Sequence, residues 1–86
     1  MKYIVVSALW CPACLITNAA LDKILEEKEL NIERLDYDFD DISKYNVGKT
    51  LPEIIVFNND TEVGRIIGEK NYKELLMEID KYEKNN

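Results

Sequence analysis

The chain has 86 residues, 47% apolar and 33% charged, with three Gly and two Pro. That length holds one domain, residues 1–86, and the composition excludes a disordered or collagen-like chain. Seventeen acidic and eleven basic residues leave a net charge of −6, which disfavours nucleic acid and anionic membrane as partners.

The acidic residues are spread along the sequence, a pattern of solubility rather than of a docking tail. No apolar run approaches the roughly 20 residues that a membrane-spanning helix needs.

Lys2 to Ala8 contains Ile4-Val5-Val6 and predicts a buried strand. The same start resembles the opening of a signal peptide. However, Cys11 follows almost at once, with no small-residue cleavage site behind a full apolar region. A first strand is the better reading, and the expected compartment is the cytoplasm.

Pro12 to Lys28 predicts a helix. Thr17, Ala20, Leu21, Ile24 and Leu25 share one face, and Asp22, Lys23, Glu26, Glu27 and Glu29 the other. Asn31 reads as the break after it. Ile32 to Phe39 alternates, with Leu35, Tyr37 and Phe39 opposite Arg34, Asp36 and Asp38, which predicts a half-exposed edge strand. Asp40 and Asp41 are placed to cap a short helix from Ile42 to Tyr45.

Val47 to Thr50 reads as a loop. Pro52 opens a central strand through Ile54-Ile55-Val56-Phe57, an acceptable place for a residue without an N–H. Asn58-Asn59-Asp60 is a tight turn, Glu62 to Ile67 the returning strand, and Gly68 its end. A last helix is expected from Asn71 to Glu83, burying Tyr72, Leu75, Leu76, Ile79 and Tyr82, with Lys84, Asn85 and Asn86 frayed.

The resulting order is β-α-β-α-β-β-α, an α/β chain. Its first half is a parallel βαβ unit and its second an antiparallel hairpin with a helix. A four-stranded mixed sheet with helices on both faces would cover the two apolar runs.

Cys11 and Cys14 are the only cysteines, and they fall where the first strand gives way to the first helix. A helix N-terminus has unpaired N–H groups and a positive dipole end, so a sulfur there is stabilised as thiolate, the nucleophile of thiol–disulfide exchange. Pro12 suits the first helical position, and Cys14 lies one turn on, within reach of Cys11 and more buried. In a reducing compartment a lone pair is more often catalytic, metal-binding or redox-sensing than structural.

A structural zinc site needs about four ligands, and the chain has no His and no third Cys. A purely structural disulfide closing so short a loop would contribute only about 2 kcal/mol. Two inert core cysteines are the remaining bland reading. The position on a strand-to-helix turn favours redox chemistry, with Cys11 attacking a disulfide and Cys14 resolving the mixed disulfide. No cofactor is expected beyond the Cys11–Cys14 disulfide itself.

Trp10-Cys11-Pro12-Ala13-Cys14 resembles the active-site turn of the thioredoxin/glutaredoxin superfamily. Lys44 to Pro52 resembles the family's loop into its proline, Ile54 to Phe57 the strand after it, and Gly68 with the last helix the family's ending. The resemblance covers essentially the whole chain, at glutaredoxin size, and implies a thioredoxin fold with strand order 2-1-3-4. It also implies a cis Pro52 beside the cysteines, a Leu51 backbone that pairs with an extended substrate, and Trp10, Pro12 and Gly68 as further substrate-binding positions.

The chain departs from the family at several places. Val5 stands where thioredoxins carry a buried Asp. Glu53 reads as a solvated strand-end carboxylate, with a substitute for that Asp as the alternative. Ala8 and Ala13 replace the glutaredoxins' Lys and Tyr, and Gly68-Glu69-Lys70-Asn71 replaces the segment that holds glutathione.

The expectation is therefore a monomeric protein-disulfide reductase. Its partners would be disulfide-containing proteins and an electron donor, either a thioredoxin-reductase-like enzyme or glutathione. A glutathione-dependent glutaredoxin and a dithiol metal-binding or non-catalytic interaction module are the rivals.

Overall fold

A computed structural model describes residues 1–84. The elements are β1 (Lys2–Ser7), α1 (Pro12–Glu27), β2 (Asn31–Asp36), a single 3₁₀ turn (Ser43–Tyr45), β3 (Glu53–Asn58), β4 (Thr61–Ile67) and α2 (Tyr72–Lys84). The sheet order is β2-β1-β3-β4. β1 runs parallel to β2 and antiparallel to β3, and β3 and β4 form a hairpin. This is the thioredoxin fold expected from the sequence, with the apolar strands β1 and β3 at the centre and β2 at an edge.

Alternation along the central strands divides the interior into two layers. Tyr3, Val5, Ile54 and Val56 point toward α1 and α2, where they meet Leu21, Ile24, Leu75 and Ile79. Ile4, Val6 and Ile55 point the other way, toward Cys11, Cys14 and Leu51, under Ile42, Tyr45 and Val47. Both α-helices therefore lie on one face. The expected second helix is reduced to one 3₁₀ turn, and it is this turn with its flanking loops that covers the opposite face.

Several boundaries differ from the sequence reading for local reasons. β2 ends at Asp36 because its carboxylate accepts the backbone N–H groups of Asp38 and Phe39, closing a turn that overrides the alternating pattern. Phe39 is consequently 80% exposed. Asn31 opens β2 instead of breaking the chain before it.

Neither Asp40 nor Asp41 occupies the N-cap, which is Ile42 without a side-chain bond. Asp41 binds the N–H and hydroxyl of Ser43, and Asp40 the N–H of Asp36. Asn71 and Glu74 form a reciprocal capping box at the start of α2. Lys84 is still helical; Asn85 and Asn86, expected to fray with it, lie outside the described residues.

Asn59, in the left-handed region at φ 58°, lets the β3–β4 hairpin turn in two residues. Val63 is an extra residue in β4, since Val56 faces Gly64 while Phe57 faces Glu62. A Cβ on Gly64 would fall 2.1 Å from Tyr82 Oη, so this strand glycine exists to admit the tyrosine of α2. Tyr72, Leu76 and Tyr82 are half-buried rather than buried.

Candidate active site

Cys11 has extended backbone angles (φ −101°, ψ 106°) and is the N-cap of α1, with Pro12 at the first helical position. Its sulfur does what a Ser or Asp oxygen does at other N-caps: it accepts the N–H of Cys14, at 3.2 Å. As a thiol it donates to the Leu51 carbonyl at 3.7 Å. A sulfur held between a helix N–H and a strand-end carbonyl is fixed in direction, and the N–H bond strengthens as the sulfur gains charge.

Both cysteines are free thiols. Cys11 is 6% exposed and Cys14 1%, the order expected for an attacking and a resolving sulfur. Burial pushes the Cys14 thiol up to about 11, and its interaction with Cys11 adds to this, against a smaller opposing effect of the Ala8 N–H. Cys14 thus keeps its proton at neutral pH.

Leu51 and Pro52 are buried beside the pair, and their peptide bond is cis. Gly68, in the left-handed region at φ 92°, sends its N–H to the Pro52 carbonyl at 2.9 Å and so joins this edge. Pro12 is exposed on the first turn of α1. Trp10 is 62% exposed, and its Nε1–H donates to Asp38 at 2.6 Å while its ring stands edge-on to Tyr37 at 6.3 Å. The structure therefore brings Cys11, Cys14, Leu51, Pro52 and Gly68 together, with Trp10 at the rim.

Val5 is wholly buried and apolar, so no carboxylate occupies that place on β1. Glu53 is not the solvated group expected of it. It is buried, with Arg65 at 2.5 Å and the Gly48 N–H at 3.1 Å. Those partners, not the thiols, hold its carboxylate. Thr17, one turn beyond Cys14, accepts the Lys70 N–H at 2.9 Å and ties the segment after Gly68 to α1. The Lys70 ammonium is engaged by the Ile67 carbonyl at 2.8 Å.

Leu9, Leu15 and Ile16, 80%, 66% and 47% exposed, flank the pair along the chain. Leu15 and Ile16 are marked in the sequence only by lying off the Thr17–Leu21–Ile24 stripe, and neither they nor Leu9 are among the residues expected at the site. Asp38 and Tyr37 carried no such signal, because their meeting with Trp10 is made by the fold. Among the described residues no group of three or more Cys, Asp or Glu is placed to hold a metal ion.

No protein-family model matches the sequence, and no curated protein matches it. Solved structures do. A malarial protein is 28% identical, with 94% of this chain and 97% of that one covered, at a TM-score of 0.76. Thioredoxin-2 of the malaria parasite is 29% identical over 93% of this chain and 82% of its own, also at 0.76. The Schistosoma mansoni thioredoxin is 25% identical over 93% and 78%, at 0.75. The chain is similar over nearly its whole length to these structures, two of them thioredoxins, and its two cysteines three residues apart fit a Cys-x-x-Cys redox pair. The chain belongs to the thioredoxin-like superfamily.

Proposed function

We propose that this protein reduces disulfides in other proteins, acting as a monomer in the cytoplasm. The observation that carries the reading is Cys11 at the N-cap of α1, its sulfur bonded to the Cys14 N–H and set against the Leu51 carbonyl.

Cys11, as thiolate, attacks one sulfur of the substrate disulfide. A Cys11–substrate disulfide forms, and the other substrate sulfur leaves as thiolate and takes the Cys14 proton. Cys14, now a thiolate, attacks the Cys11 sulfur, closing Cys11–Cys14 and releasing the second substrate sulfur, which takes a proton from solvent. The substrate gains two electrons and two protons, and the protein is left oxidised.

With Val5 in place of an acid, the departing substrate thiolate is the natural acceptor for the Cys14 proton. Trp10, Pro12, Leu51, Pro52 and Gly68 form the docking surface, with the Leu51 backbone pairing to an extended segment. An external dithiol donor returns the electrons. We favour a thioredoxin-reductase-like enzyme over glutathione, since Lys70 is already engaged and Ala8 and Ala13 offer no polar groups.

The test is insulin-disulfide reduction by the protein, with either a thioredoxin reductase or glutathione as donor. Saturable turnover with the reductase is expected, with activity falling by at least about 10³-fold in Cys11→Ser. Full activity in Cys11→Ser would refute the assigned nucleophile. Turnover with glutathione alone would transfer the protein to the glutaredoxin reading. Tight binding of a soft metal ion without any reduction would favour the dithiol metal module.

A further inference from the structure

The loop 46–52 joins the 3₁₀ turn to β3 without regular structure and ends on the Leu51–Pro52 edge beside Cys11. An edge that docks a substrate backbone must be held in place. The Gly68 N–H holds the Pro52 carbonyl at 2.9 Å, and a side-chain network holds the loop that leads into it. Glu53 Oε1 accepts the Gly48 N–H at 3.1 Å, and Glu53 Oε2 meets Arg65 Nη1 at 2.5 Å. The same Nη1 also reaches the Asn46 carbonyl at 3.5 Å, and Glu62 grips the guanidinium through Nε and Nη2 at 2.7 and 3.0 Å.

Glu53 and Arg65 are diagonal neighbours on one face of the hairpin, since Glu53 faces Ile67 and Arg65 faces Ile55. Their side chains are 4% and 21% exposed. A carboxylate so buried, two residues from the Leu51 carbonyl, is costly unless fully partnered. Each of its oxygens is spent on the loop or on the residue that braces it.

We infer that Glu53 and Arg65 are positioning residues that clamp the 46–48 segment and thereby set the Leu51–Pro52 edge against Cys11 for protein substrates. This rests on the disulfide-reductase reading. It goes beyond that reading in assigning a role in substrate choice to a pair that touches neither sulfur.

The variants are Glu53→Gln, which keeps an acceptor for Gly48 but loses the charge, and Glu53→Gln/Arg65→Met, which leaves no unpaired buried charge and so keeps the fold accessible. Insulin and a small aromatic disulfide, 5,5′-dithiobis(2-nitrobenzoate), are compared as substrates, because the small one reaches Cys11 without needing the edge. The amide resonances of Val47, Gly48 and Leu51 are followed by NMR.

KM for insulin is expected to rise about tenfold or more in both variants. kcat and the rate with the small disulfide should stay within about twofold, and the three resonances should shift. Equal losses on both substrates, or unchanged KM with unmoved resonances, would overturn the inference. If the wild-type protein does not turn over insulin, the proposed function falls, and the resonances alone decide the clamp: unmoved, they refute it.

Discussion

At Cys14 burial opposes ionisation, and the consequence can be read in pH. Folding raises this thiol from an ordinary value of 9.0 to about 11, so the folded state favours the proton. The associated stability is complete below pH 9 and is lost as pH rises toward 11. The reduced protein is therefore expected to lose stability across that window in chemical unfolding. Iodoacetamide at neutral pH should label Cys11 and spare Cys14 until the pH nears 11, with mass spectrometry locating the label. Equal labelling of both sulfurs at pH 7 would show that Cys14 is not held as a thiol. The cysteine pair itself was legible because N-cap, proline and second cysteine are neighbours in sequence. The burial of Glu53 was not, because its partner Arg65 lies twelve residues on and meets it only across the hairpin.

At the scale of elements, apolar runs and helical stripes located β1, β3, α1 and α2 to within a residue or two. β2 overran its true end because alternation says nothing about Asp36 capturing two N–H groups. Gly64 was equally opaque: in sequence it is a weak strand residue, and only the tyrosine of α2 explains it. Gly64→Ala places a methyl group against the ring of Tyr82, an overpacking that is expected to cost about 1–3 kcal/mol. Urea denaturation measures it, and truncating Tyr82 to Ala in the same chain should remove most of the added penalty. A Gly64→Ala protein as stable as wild type would show that the Tyr82 ring is not held against Gly64.

Across the whole molecule, the strand order came from resemblance and was met by the fold, whereas the placement of both helices on one face was not anticipated. That placement depends on how much chain lies between β2 and β3 and on what it can build. Here Asp36, Asp40 and Asp41 capture nearby N–H groups in turns, leaving a single 3₁₀ turn over Ile4, Val6 and Ile55. The cysteines join this thinly covered layer at its end, where β1, the start of α1 and the Leu51–Pro52 edge converge.

In the proposed cycle this convergence makes Cys11 the attacking sulfur and Cys14 the resolving one. The most direct measurement is capture of a mixed disulfide by Cys14→Ser incubated with an oxidised protein substrate, mapped by peptide mass spectrometry. A long-lived adduct through Cys11 is expected with Cys14→Ser, and none through Cys14 with Cys11→Ser. Adducts formed equally by both variants, or by neither, would contradict the account.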